Sequence, residues 1–210
     1  MLTVKPDSLV LFIGDSVTDC GRRREDPDDL GPSYARKVRQ YLDIFCGERH
    51  IRVLNRGISG NRVRDLKARW QEDCLGLHPD VVNILIGIND TWRRYDSADP
   101  TSPQAFEADY RDILSRTAAA GAQISIMEPF LMPHIADRQQ WREDLDPKIQ
   151  VVRRLAREFH ATFIPLDGIF ASCCTQRDIF ELSQDGVHPV DGGHSVIARA
   201  WLSAAGLLRP

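Results

Sequence analysis

Ser16 ends the first apolar run of the chain, in Gly14-Asp15-Ser16, while Asp185 and His188 stand three residues apart near the other end. These are the side chains of nucleophilic acyl chemistry. An alcohol is a weak nucleophile at neutral pH and needs a base to take its proton. An imidazole serves as that base when a carboxylate fixes its tautomer and balances the imidazolium that forms. In Asp185-Gly186-Val187-His188-Pro189 the carboxylate can reach the ring nitrogen turned away from the serine. Two further segments, Gly57-Ile58-Ser59-Gly60-Asn61 and Gly87-Ile88-Asn89-Asp90, carry amide donors. The Ser16 amide, the Gly60 amide and the Asn89 side chain could hold a tetrahedral oxyanion, for which one donor is worth about 3 kcal/mol.

Each segment alone has an ordinary reading. Ser16 could cap a helix or, following a first strand, belong to a phosphate cradle of flavodoxin type. Gly60 and Asn89 could be turn residues, and Asp185 an Asx turn beside a buried histidine. Ser59 is a possible rival nucleophile, but Asn61 stands where the nucleophile-elbow motif needs glycine. His194 is the second choice as base, given its place on a terminal helix. His50, His78, His134 and His160 are assigned to surfaces or turns.

Something must bring residue 16 to residue 188. Five apolar, β-branched runs stand out, at residues 9–13, 51–54, 81–86, 124–127 and 162–166. Segments with helical periodicity separate and follow them, at residues 34–45, 63–75, 103–120, 140–159 and 192–205. Ser102-Pro103 suits a helix start and Gly121 a stop. Strands alternating with helices predict a parallel sheet covered on both faces, and continuous rather than alternating apolar runs agree. With strand order 2-1-3-4-5, the loops carrying Ser16, Gly60 and Asn89 share one rim, at the carboxyl ends of the strands. The longest irregular stretches are residues 19–32, 91–100 and 129–137.

At 210 residues a single domain, 1–210, is expected. A hydrophobic fraction of 42% and a charged fraction of 27% are those of a soluble globular chain. The net charge of −3 argues against nucleic-acid or anionic-membrane partners. No apolar run approaches bilayer length, and the first residues lack the layout of a secretion signal. Five cysteines without metal-ligand spacing, among them Cys20 and the adjacent Cys173 and Cys174, point to free thiols and a cytoplasmic protein. No metal or other cofactor is expected. Asp26-Pro27-Asp28-Asp29-Leu30-Gly31 reads as a solvated turn, not a calcium loop, and there is no His-Glu-x-x-His motif.

Candidate substrate contacts are Asp15, beside the nucleophile, and Trp92 and Tyr95, which follow Asn89 and could stack on sugar faces. The other reading of Trp92 is packing against the sheet edge. Arg22-Arg23-Arg24 is a solvated patch or, with Arg93-Arg94, a lining of the cleft mouth. Trp141 and Arg142 read as core and surface. Phe130, Leu131, Met132 and Ile135 make an apolar loop that could be buried in a homo-oligomer.

Together, Gly14-Asp15-Ser16, residues 57–61, residues 87–90 and residues 185–189 resemble the ordered signature blocks of the SGNH hydrolases, or GDSL-type esterases. The resemblance spans almost the whole chain. It implies a flavodoxin-like α/β/α sandwich with Ser16 as nucleophile, His188 as base and Asp185 as orienting acid. It also implies Ser16, Gly60 and Asn89 as oxyanion donors. Residues 15–22, 57–70 and 87–96 further resemble the acetylxylan esterase branch, which removes acetyl groups from xylo-oligosaccharides. The expected substrate is therefore a small-molecule or oligosaccharide ester. The alternatives are a thioesterase or lysophospholipase on longer acyl chains, and a non-catalytic phosphate- or flavin-binding module.

Overall fold

The computed structural model describes residues 2–133 and 136–208. His134 and Ile135, both named above, lie outside them. Among the described residues, β1 (Leu9–Gly14), β2 (Arg52–Gly57), β3 (Val81–Leu85), β4 (Gln123–Met127) and β5 (Thr162–Ile164) form one all-parallel sheet in the order β2-β1-β3-β4-β5. The helices are α1 (Ser16–Asp19), α2 (Tyr34–Phe45), α3 (Val63–Asp73), α4 (Ile88–Asp96), α5 (Pro103–Ala119), α6 (Arg142–Glu158), α7 (Leu166–Cys174) and α8 (Asp191–Ala204).

Side chains alternate across a strand, and β1 shows both faces buried. Val10 and Phe12 pack with Tyr34, Val38, Ile197 and Trp201 of α2 and α8. Leu11 and Ile13 pack on the other face with Leu66, Trp70, Tyr110 and Val152 of α3, α5 and α6. Fully burying one side chain of this size contributes about 1.5–3 kcal/mol, so two such layers hold the sheet rigid beneath its rim. Ser102 Oγ accepts the Ala105 N–H at 3.2 Å ahead of Pro103, and Gly121 has φ +81° after α5, matching the predicted start and stop.

Three local expectations change. Residues 91–100 are not all irregular, because α4 runs through Asp96. Its apolar stripe is only Ile88, Trp92 and Tyr95, and its other buried side chains, Asn89, Asp90 and Thr91, are polar. Helix α7 starts directly after Pro165, so β5 stops short of residue 166, where the apolar run ends. Of the apolar loop, Phe130, Leu131 and Met132 are buried within the chain, the Phe130 ring tilted 4.4 Å from that of Phe170, so these three offer no docking face. No described helix is long and apolar enough to cross a membrane.

Candidate active site

The site forms at the carboxyl rim of the sheet. β1 leaves the sheet at Gly14, where a Cβ would sit 2.1 Å from the Leu85 carbonyl oxygen; only glycine permits that closeness. Asp15 then caps α1, its Oδ1 accepting the Val17 N–H at 3.0 Å. This turns Asp15 inward, and it is 1% exposed. Asp15 therefore does not reach the cleft surface, contrary to its expected role as a substrate contact. Burial pushes its carboxyl up to about 7 against the Val17 hydrogen bond and the nearby His188. The next residue, Ser16, faces the opening.

Ser16 Oγ lies 3.0 Å from His188 Nε2, and His188 Nδ1 lies 2.8 Å from Asp185 Oδ2. A carboxylate accepts, so Nδ1 carries the proton and Nε2 presents its lone pair to the hydroxyl. The loop that holds the pair is tightly bonded. Asp185 Oδ1 accepts the Val187 and His188 amides at 2.9 and 2.7 Å. Buried Ser183 donates to the His188 carbonyl at 2.8 Å and accepts the Gly186 N–H at 2.9 Å. Desolvation raises the Asp185 carboxyl, but the His188 ring and these amides outweigh it and hold it far below the usual carboxylate range. The hydrogen bond to Asp185 raises the His188 imidazole against a smaller lowering by burial.

The oxyanion candidates converge on the same place. Ser16, Gly60, Asn89, Trp92, Arg93 and His188 line one open cleft of about 390 Å³. The Ser16 N–H belongs to the first turn of α1, which has no intrahelical acceptors. Gly60 has φ +84°, a conformation that favours glycine, and nothing stands within 4 Å of where a Cβ would be. Asn89 Nδ2 donates to the Asn61 carbonyl at 3.1 Å, which fixes the amide and leaves its second hydrogen for the cleft. Asn89→Ala is expected to lower kcat by about 100-fold with little change in KM, measured on a p-nitrophenyl ester. A larger cavity of about 550 Å³ lies at the opposite ends of the strands, around Lys5, His78 and Asp80. It holds none of the nucleophile, base or acid.

The rivals are otherwise engaged. Ser59 donates both its N–H and its hydroxyl to Asp19 Oδ2, at 2.8 and 2.7 Å. Desolvation of Asp19 is outweighed by Arg24 and Ser59, which hold its carboxyl below its ordinary value, making it a poor base. His194 Nδ1 accepts the Tyr34 N–H at 3.2 Å, so its remaining ring N–H faces Cys20 Sγ, also at 3.2 Å. Burial, helped by the charge of Lys37, lowers this imidazole to about 4. It is a neutral structural histidine, not the second base. Asp29 and Asp26 turn their carboxylates onto the chain's own amides, as a plain turn does. Among the described residues no cluster of His, Cys, Asp or Glu could hold a metal ion.

Trp92 lines the cleft, its ring centroid 5.7 Å from that of His188. Tyr95 does not line it. Its ring stacks on Trp141 at 5.6 Å, and its hydroxyl donates to the Gln140 carbonyl at 3.0 Å. Trp141 thus supports the cleft wall from behind. Arg22 is buried rather than solvated and donates to the Gly57 carbonyl at 3.2 Å, while Arg94 pairs with Asp144 at 3.1 Å. Of the arginines considered for the mouth, Arg93 lines the cleft. Arg138 is the neighbour that motif spacing does not reveal. It donates to the Asp185 carbonyl, and its guanidinium lies 4.7 Å from the Trp92 ring centroid.

Comparison with known proteins agrees with this geometry. The model of the GDSL-like lipase/acylhydrolase family matches residues 12–196. An acetylxylan esterase of Geobacillus stearothermophilus is 38% identical over 205 residues, covering 94% of this chain and 93% of that protein. A catalytic mutant of Axe2, an acetylxylan esterase from the same organism, superposes with a TM-score of 0.91 at 36% identity, covering all of both chains. LAE5, an alpha/beta hydrolase enzyme from the metagenome of Lake Arreo, Spain, superposes with a TM-score of 0.92 at 32% identity over 99% of each chain. The chain belongs to the GDSL-like lipase/acylhydrolase family and is a carboxylic ester hydrolase.

Proposed function

We propose that the enzyme removes acetyl and other short acyl groups from carbohydrate esters, through an acyl-enzyme on Ser16. The observation that carries this is the line from Ser16 through His188 to Asp185, 3.0 and 2.8 Å long, opening into one cleft with Gly60 and Asn89. In the first half-reaction Ser16 Oγ attacks the ester carbonyl and its proton passes to His188 Nε2. The carbonyl oxygen becomes an oxyanion facing the Ser16 and Gly60 amides and the Asn89 side chain. The C–O bond to the alcohol then breaks, and His188 protonates the leaving oxygen. In the second half-reaction water takes the place of the alcohol, His188 removes its proton, and the acid departs. Asp185 stays ionised throughout and balances the imidazolium.

The substrate class rests on the wall of the cleft and on the relatives. Trp92 offers an aromatic surface beside the nucleophile, which suits the apolar face of a sugar. Similar proteins are named acetylxylan esterase and acetyl-xylooligosaccharide esterase. The residues that line the cleft include too few apolar side chains to sheathe a long acyl tail. On a ladder of p-nitrophenyl esters, kcat/KM is expected to fall at least about tenfold from acetate to hexanoate, because added methylenes gain none of the roughly 0.8 kcal/mol that burial of each would contribute and must crowd the cleft wall to reach Ser16. A rise with chain length would instead favour a thioesterase or lysophospholipase. The five cysteines are unpaired, which supports a reducing compartment as the place of work.

A further inference from the structure

We infer that Arg138 is a positioning residue of this site: lying over Trp92 and Trp141, it grips Asp185 and shares the carboxylate oxygen that orients His188. The inference rests on the roles proposed above for Ser16, His188 and Asp185. Arg138 sits in the short 3₁₀ turn Ala136–Trp141, before α6. Its guanidinium lies over two indoles, 4.7 Å from the Trp92 centroid and 5.1 Å from that of Trp141. From there Nη1 donates to the Asp185 carbonyl and comes 3.1 Å from Asp185 Oδ2. A planar guanidinium can lie on an aromatic face and still direct an N–H at a carboxylate in its own plane; an ammonium cannot do both.

Two consequences follow for the base. Asp185 Oδ1 is occupied by two amides, so Oδ2 is shared between His188 Nδ1 at 2.8 Å and Arg138 at 3.1 Å. A cation on the same oxygen keeps the carboxylate ionised but weakens its hold on the imidazolium. The charges facing His188 divide accordingly. Asp185 and the buried Asp15 favour the protonated ring, and Arg138 opposes it. Arg93 and His194 share the cleft wall, His194 as a neutral ring. The second consequence is mechanical. Trp92 forms the wall beside His188, so one side chain ties the substrate wall to the orienting acid.

The test compares R138Q, R138M and R138K with the wild type in two measurements: the pH profile of p-nitrophenyl acetate hydrolysis, and an NMR titration of the His188 ring. Removing a cation that opposes protonation makes the ring easier to protonate. In R138Q both the acid limb and the ring titration should therefore move to higher pH. Its plateau kcat should fall about 10- to 100-fold, the cost of a misplaced base, with KM changed less. R138M keeps a stem over the indoles and should show the same displacement if R138Q does not fold. R138K keeps a charge but cannot both lie on the indoles and reach Asp185 Oδ2, so it should return the limb only part of the way to the wild-type position. A titration that stays in place, or moves to lower pH, in a folded R138Q or R138M would overturn the inference. The ring titration needs no turnover, so it decides the role of Arg138 even if the wild type proves inactive on esters, a result that would defeat the proposed function instead.

Discussion

Replacing Ser16 with alanine is expected to lower the turnover of p-nitrophenyl acetate by about a thousandfold or more, with the melting temperature nearly unchanged. The two halves of this expectation come from different atoms. The hydroxyl is the group that would form the acyl-enzyme, and its hydrogen bond runs to His188 at 3.0 Å. The local fold is held by others: Asp15 caps α1 through the Val17 amide, and Gly14 packs against Leu85. Deleting one partly exposed hydroxyl leaves these intact, and such changes cost within about 0.5 kcal/mol. Ser59→Ala should do the reverse. It removes one hydrogen bond to Asp19, worth about 1 kcal/mol, and should cost less than about tenfold in rate, because the Ser59 backbone N–H still ties the Gly60 loop to α1. The pair is measured side by side by active-site titration with an organophosphate and by thermal melting. A Ser16→Ala protein that still takes up one equivalent of label, with Ser59→Ala taking up none, would move the nucleophile to residue 59.

Why this contrast is legible in the sequence, and other features are not, has a physical reason. Residues that need a special backbone show themselves. Gly14, Gly60 and Gly186 stand where a close approach or a left-handed conformation demands them, and the functional residues follow at short, fixed intervals. Continuous apolar runs likewise betray strands buried on both faces, but they do not fix the sheet order; the order β2-β1-β3-β4-β5 that gathers the three rim loops agrees with the flavodoxin-like fold the family resemblance implies. What stays hidden is polar burial. Helix α4 packs Asn89, Asp90 and Thr91 inward, with Asp90 accepting the Val63 N–H at 3.0 Å to set the start of α3. A buried face of amides and carboxylates adds nothing to a hydrophobic period, and the apolar stripe beside it, Ile88, Trp92 and Tyr95, spans only two turns.

The same limit explains the misplaced contacts. Asp15 and Tyr95 have neighbours in sequence that line the cleft, but a cap turns one side chain inward and a stack on Trp141 turns the other away. The apolar residues 130–132 resemble a surface patch only because their partner, α7, follows more than thirty positions later and continues an apolar strand without a break in pattern. Arg138 is the hardest case. Its three partners lie on segments 46 residues before it, 3 after it and 47 after it, and arginine is common enough that no spacing singles it out.

The acid of the site yields the second large effect. Asp185→Asn is expected to lower kcat by about a thousandfold to ten-thousandfold, and the surrounding bonds determine why. The asparagine carbonyl should take the Oδ1 position, because the Val187 and His188 amides point there and need an acceptor. The amide NH2 must then occupy the Oδ2 position, facing His188 Nδ1 and Arg138. A donor opposite Nδ1 forces the ring proton onto Nε2, so the nitrogen beside Ser16 can no longer accept the hydroxyl proton. The imidazolium also loses its counter-charge. In the wild type the bond to Asp185 raises the His188 imidazole above its ordinary value, so activity should increase as pH rises through that shifted point and the base becomes neutral. Without the carboxylate, and with Arg138 still opposing protonation, the residual activity of Asp185→Asn should carry its acid limb at lower pH than the wild type. R138Q should move the limb the other way, and a pH profile of both variants against one ester measures the two displacements together. If the asparagine variant kept the wild-type limb, the carboxylate would not be what holds the proton on His188, and the base would have to be orientated by the loop alone.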